Sequence, residues 1–244
     1  MKQILFVFTM LLVSCSSDDT SGSNINDSLM SYIDGKTIET GAVIACSGNI
    51  QTNQNSIEVY FFPETGSNNF KLFETSSSNL DQNDYSNYDV LVIPNEPFFN
   101  GFLRKFVGEF DSERWIIVTY EIDDEIKLSN PIRIKQSTQP TLFSNDISLN
   151  QEISQMPIFS WDVNSEVDNA IFFQVLSTVN DDVISATYTF ENQFQYYDTS
   201  NVVLNVTQGT PPILSVGQDY KFTLMDVSED NWVNQVITTQ FTVE

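Results

Sequence analysis

The strongest constraint on this chain is its punctuation. β-Branched and aromatic residues come in short runs, each stopped by proline, by glycine or by a cluster of asparagine, aspartate and serine. Ile57-Glu58-Val59-Tyr60-Phe61-Phe62 stops at Pro63, Tyr88 to Ile93 stops at Pro94, and Phe70-Lys71-Leu72-Phe73 sits between polar stretches. Runs of that length and composition predict strands rather than helices. From Trp115 to Ile122 the pattern alternates: Ile116, Val118, Tyr120 and Ile122 share one face, while Trp115, Ile117, Thr119 and Glu121 share a face that reads as half exposed. Asp123-Asp124-Glu125 follows as a hairpin tip, and Tyr32 to Ile38 reads as a hairpin around Asp34-Gly35. Phe98 to Val107 suits either a short helix or a strand bent at Gly101 and Gly108. The chain is expected to be all-β.

Two sandwich domains are expected, at 29–136 and 137–244, with Gln136-Ser137-Thr138-Gln139-Pro140 as the linker between them. In the first, Ser129-Asn130-Pro131-Ile132-Arg133-Ile134 resembles the closing strand of an immunoglobulin-like sandwich. In the second, Pro157-Ile158-Phe159-Ser160-Trp161-Asp162 and Gly217-Gln218-Asp219-Tyr220-Lys221-Phe222-Thr223-Leu224 resemble the second and sixth strands of a fibronectin type III domain. The resemblance implies a core role for Trp161 and a buried Tyr220 whose hydroxyl meets nearby backbone. It also implies third and fifth strands at Ala170 to Leu176 and Asn201 to Val206, and a final strand at Val236 to Val243. Ile184 to Tyr197 is more aromatic than that family's pattern and suits an irregular crossover. These are packing motifs, so they speak to fold and not to activity.

The N-terminus reads as a targeting segment. Lys2 precedes an apolar run from Ile4 to Val13, broken at Thr9, which is too short for the ~20 residues of a membrane span and right for a secretory signal. The run ends Leu12-Val13-Ser14-Cys15, which resembles a bacterial lipobox. That implies a signal peptide at 1–14, diacylglycerol and an acyl chain on Cys15, and attachment to a membrane through lipid alone. The flexible tether 15–28 begins Ser16-Ser17-Asp18-Asp19, similar to the acidic surface-export signal of Bacteroidetes lipoproteins. The implied location is the outer membrane, facing the cell exterior. Asp27-Ser28-Leu29 resembles the O-glycosylation motif of the same group, with Ser28 as acceptor.

Charge and composition narrow the function. The chain has 10 Lys+Arg against 33 Asp+Glu, a net charge of −23. Such a surface repels phosphate backbones and anionic headgroups, which argues against nucleic acid as a partner. There is no histidine, so Ser-His and Cys-His nucleophiles and histidine metal sites are absent. No Gly-x-Ser-x-Gly elbow, phosphate-binding loop or dinucleotide fingerprint occurs. With Cys15 lipidated, Cys46 has no partner for a disulfide and reads as a small buried hydrophobe.

The expectation is therefore a non-catalytic, surface-tethered binding or adhesion module. The alternatives are an accessory glycan-binding lipoprotein of a nutrient uptake system and a structural subunit of an envelope assembly. No cofactor is implied. Calcium is the one candidate ion, at the oxygen-rich stretch Asp81, Asn83, Asp84 and Asp89, although Tyr85 and Val92 break the EF-hand pattern. The candidate ligand site is the turn Glu229-Asp230-Asn231-Trp232, where an exposed indole beside three polar side chains would suit a sugar ring or a protein partner.

Overall fold

The computed structural model describes residues 28–244; the signal segment, Cys15 and the tether as far as residue 27 lie outside the described residues. One short helix, α1 (Leu29–Ile33), opens the fold. It is followed by β1 (Thr37–Val43), β2 (Ala45–Ile50), β3 (Asn53–Phe61), β4 (Asn68–Thr75), β5 (Tyr88–Leu91), β6 (Asn95–Phe98), β7 (Leu103–Glu109), β8 (Trp115–Ile122), β9 (Glu125–Ser129) and β10 (Ile132–Arg133). The second half comprises β11 (Leu142–Ser144), β12 (Ser148–Asn150), β13 (Ile158–Ser160), β14 (Ile171–Thr178), β15 (Val183–Thr189), β16 (Gln193–Gln195), β17 (Val202–Asn205), β18 (Asp219–Val227) and β19 (Val233–Thr242). The all-β expectation holds.

Each half is a β-sandwich, and the two share a plan. In the first, a sheet ordered β1-β9-β8-β4-β5 faces one ordered β2-β3-β7-β6. In the second, β11-β19-β18-β14-β15-β17 faces β12-β13-β16. Each half sets an early strand parallel to a late one, β1 beside β9 and β11 beside β19. The closing-strand motif at Ser129 to Ile134 is the second part of one interrupted strand. β9 and β10 both pair antiparallel with β8, and Asn130-Pro131 separates them because proline has no N–H to donate to the ladder.

The two sandwiches stack face to face, so the packing runs helix, sheet, sheet, sheet, sheet. Leu29, Tyr32 and Ile33 of α1 close over Phe73, Ile117 and Leu128. Ile57, Val59, Phe61, Ile116, Val118 and Tyr120 fill the first sandwich. Phe159, Trp161, Phe172, Phe222 and Ile237 fill the second. Between the sandwiches, Cys46, Tyr60 and Leu103 meet Phe173, Val175, Met225 and Val233. A middle sheet buried on both faces needs near-continuous apolar runs, which is what Val59-Tyr60-Phe61 and Phe172-Phe173 supply. Each such side chain contributes roughly 1.5–3 kcal/mol of burial.

Three local expectations are revised and two are given their detail. Asp34-Gly35 is not a hairpin: Leu29, Tyr32 and Ile33 at helical spacing make a buried turn, Ser28 caps it, and Gly35 at φ +69° leads into β1. The second face of β8 is not half exposed beyond Trp115 and Glu121, because α1 covers it and both Ile117 and Thr119 are fully buried. Phe98 to Val107 resolves into a 3-10 turn at Phe99–Gly101 and then β7. Asn201 to Val206 does not supply the strand beside β13. β17 pairs with β15 instead, and β16 pairs with β13 because Phe194 and Tyr196 point into the core. Finally, the linker Gln136 to Pro140 is held at its first residue: Gln136 is buried and its amide donates to the Phe110 carbonyl, while Ser137 and Thr138 are exposed.

Candidate functional site

The turn between β18 and β19 is built locally by its own polar residues. Ser228 N–H donates to the Trp232 carbonyl at 2.9 Å, Asn231 N–H donates to the Ser228 carbonyl at 3.0 Å, and Trp232 N–H donates to Ser228 Oγ at 3.1 Å. Asn231 takes the left-handed conformation the turn requires, φ +62°, which asparagine tolerates.

That turn then clasps the first sandwich. Lys135 Nζ sits 2.7 Å from an Asp230 carboxylate oxygen, and Arg133 N–H donates to the Asp230 carbonyl at 2.9 Å. Ser47 N–H donates to the Asn231 carbonyl at 3.1 Å, and the Asn231 amide donates to the Pro131 carbonyl at 3.1 Å. The Ser47 bond lies on the free edge of β2, and the others tie the turn to the segment around β10.

Trp232 is the main correction to the sequence reading. It is 0% exposed and packs into the core of the first sandwich, and its indole N–H donates to the Gln139 carbonyl at 2.7 Å. The polar neighbours mark a turn, but the turn is docked, so the indole points inward. It offers no platform to a ligand.

The aromatic at this place is Trp115. It is half-buried, its indole N–H is fixed on the Ser78 carbonyl at 3.1 Å, and the Arg133 guanidinium lies 5.4 Å from its ring centre. Trp115, Asn130 and Pro131 line an open groove of about 440 Å³ together with Gln82 and Asn83 from the first sandwich and Glu229, Asp230 and Asn231 from the second. The interruption between β9 and β10 supplies Asn130 and Pro131. The structure thus brings three of the four predicted turn residues to one groove, and adds Asn83 from the stretch considered for calcium.

That stretch is not assembled as an ion site. Asp81 accepts the Asn83 N–H at 2.9 Å, and Asp84 accepts both the amide and the hydroxyl of Ser86, which hold its carboxyl below the usual range. Asp89 lies on β5 opposite Glu74, exposed. Among the described residues no three acidic or cysteine side chains converge on one point. The acids serve as turn formers, and Tyr88 pins the loop by donating its hydroxyl to the Gln82 carbonyl at 2.8 Å. Ser28 caps α1, its Oγ accepting from Ser31 N–H at 3.2 Å.

Cys46 is free and buried at the junction, where burial pushes its thiol up to about 12. Beneath the clasp lies one buried carboxylate, Asp226. Burial raises its pKa, opposed by hydrogen bonds from the amides of Asn169 at 2.7 Å and Asn234 at 3.3 Å. The Asn234 side chain in turn accepts from Gln139. Tyr220 is half-buried, and its hydroxyl accepts the Ser215 N–H at 3.1 Å, as the tyrosine corner of such sandwiches does.

No protein-family model matches the chain, and no curated protein matches it in sequence. Among solved structures it is similar to the FN1-FN3 domains of chicken CNTN1, at 11% identity and TM-score 0.31, over 85% of this chain and 65% of that one. It is also similar to a two-domain fibronectin type III segment of chicken tenascin, at 13% identity and TM-score 0.26, over 82% and 97%. A third is the glycoside hydrolase domain of Endo-D from Streptococcus pneumoniae R6, at 10% identity and TM-score 0.33, over 82% and 32%. The chain therefore spans less than two thirds of the first and third of these structures. The sandwich architecture described above rests on the strand pairing itself.

Proposed function

We propose that this chain is a non-catalytic binding module, held at the bacterial outer surface by lipid on Cys15, and that it engages its ligand at the groove between the two sandwiches. The observation that carries this reading is the meeting of Gln82 and Asn83 with Glu229 and Asn231 across Trp115 in one open groove. Loops presented by a rigid scaffold are where binding concentrates. Here two scaffolds, locked together, hold the loops on both sides. The surface location rests on Lys2, the apolar run to Val13, the cysteine after Ser14 and the acidic Asp18-Asp19 that follows. One acyl chain holds a protein only marginally, and the chains implied for this lipoprotein class would hold it stably.

The experiment is metabolic labelling with radioactive palmitate, combined with protease treatment of intact cells. The wild-type chain should take label and be shaved from the surface, and Cys15→Ala should take none and leave the membrane fraction. Label retained by Cys15→Ala would overturn the anchor, and protection of the wild type in intact cells that is lost on lysis would place the module on the inner side.

A further inference from the structure

The lining of the junction groove also points to a ligand class. We infer that the groove takes a neutral, polyhydroxylated ligand, a glycan without acidic groups; this inference rests on the groove being the binding face.

The lining is rich in side-chain amides. Gln82, Asn83 and Asn130 bring carboxamides and Glu229 a carboxylate without an ion pair, whereas the Asn231 amide already donates to the Pro131 carbonyl and both Asp230 oxygens are engaged, by Ser228 and Lys135. An amide presents a donor and an acceptor side by side, the pairing that two adjacent hydroxyls on a sugar ring need, since each hydroxyl both donates and accepts. A carboxylate accepts a shorter, stronger hydrogen bond from a hydroxyl than a neutral acceptor does. Trp115 and Pro131 add apolar surface for the C–H face of a ring. Arg133 and the indole N–H bond to Ser78 hold the Trp115 ring before any ligand arrives, which lowers the ordering cost of binding.

Charge selects within that class. No lysine or arginine lines the groove, two carboxylates do, and the chain as a whole carries −23. Phosphorylated, sulfated or uronic sugars would meet repulsion from Glu229 and from the chain as a whole, and the two nearby cations are already engaged, Lys135 by Asp230 and Arg133 by Glu113 and the Trp115 ring. A cationic ligand is less well served. Asp230 already has Lys135 at 2.7 Å, so Glu229 stands as the one acid of the groove without an ion pair among the described residues. A protein hot spot would want a dry apolar pocket, and this groove is open and mostly polar.

The test uses the full-length lipidated chain in detergent, applied to an array of neutral, acidic and amino-sugar glycans. The best binder is then titrated into wild type, Asn83→Ala and Glu229→Ala. Both substituted residues are exposed, so both variants should melt like wild type. The expected result is binding to neutral glycans, with affinity reduced about tenfold by Glu229→Ala and several-fold by Asn83→Ala. Binding confined to acidic or amino-sugar glycans would overturn the ligand class. Neutral glycan bound equally by all three proteins would overturn the groove as well. No glycan binding by wild type, with both variants impaired in adhesion to a protein-coated surface, would leave the groove standing and remove the glycan.

Discussion

Asn49 and Thr141 exchange two hydrogen bonds where the sandwiches meet. Thr141 N–H donates to Asn49 Oδ1 at 2.8 Å, and Asn49 N–H donates to Thr141 Oγ1 at 2.9 Å. Thr141 Oγ1 donates to the Val233 carbonyl at 2.8 Å, so β2 of the first sandwich and β19 of the second close on one hydroxyl. Both residues are buried. Asn49→Ala strands the Thr141 N–H away from water and should cost about 1–3 kcal/mol in urea melts. Thr141→Val removes the other bond, leaving the Asn49 N–H without its acceptor and the Val233 carbonyl without its donor, and should cost a similar amount in the same melts.

Tyr220→Phe isolates the corner hydroxyl from the ring. The ring stays against Phe241 while the Ser215 N–H loses its acceptor. Because Ser215 is exposed, water replaces part of the bond, and the loss should be about 0.5–1.5 kcal/mol. Tyr220→Ala should cost more than Tyr220→Phe in the same melts, because it also removes the packed ring.

Asp226 makes the junction sensitive to pH. Burial raises its folded-state pKa above the ordinary value of 3.8, so the folded protein holds the proton more tightly than the unfolded chain does. Below 3.8 the acid is neutral in both states and imposes no penalty. As pH rises through its raised pKa, the folded state must bury a charge and stability is lost, levelling off above it. Asp226→Asn should therefore gain on wild type as urea melts are moved from acid pH up through the raised pKa, and the gain should hold constant above it.

Cys46 should be chemically silent. A thiol pushed up to about 12 by burial is almost wholly protonated at pH 8, and the thiolate is the reactive form. In chain carrying Cys15→Ala, a disulfide-exchange reagent should modify no thiol in the native state and one after unfolding in urea. Rapid native-state labelling would show that the junction opens.

How much of this was legible in the sequence depends on the range of the contact. The strands around Ile116 to Tyr120 and Phe222 to Leu224 could be read because alternation is local. The half-exposed setting of Trp115 could be read from the same pattern. Val59-Tyr60-Phe61 and Phe172-Phe173 signal burial on both faces, but not which sheet covers them, because the partners lie far away in sequence, as Cys46 and Met225 do. β17 looked like the better strand because it is richer in β-branched residues, while β16 declared itself only through Phe194 and Tyr196, two residues apart. Trp232 was misread for the same reason. Polar neighbours identify a turn, and nothing local says that the turn is pressed against another sandwich.

Trp232 is where the two halves become one unit, since an indole carried by the second sandwich completes the core of the first. Trp232→Ala should cost about 3–5 kcal/mol, as large aromatic truncations do. The direct test is native-state hydrogen exchange along a urea series, resolved by peptide, in wild type and Trp232→Ala. Wild type should lose protection in β3, β8, β14 and β18 together, as one cooperative unit. In Trp232→Ala, protection of β3 and β8 in the first sandwich should fall to a lower urea concentration, ahead of β14 in the second. First-sandwich protection unchanged by the substitution would contradict the account, because the sandwich would then be complete without the residue from its neighbour.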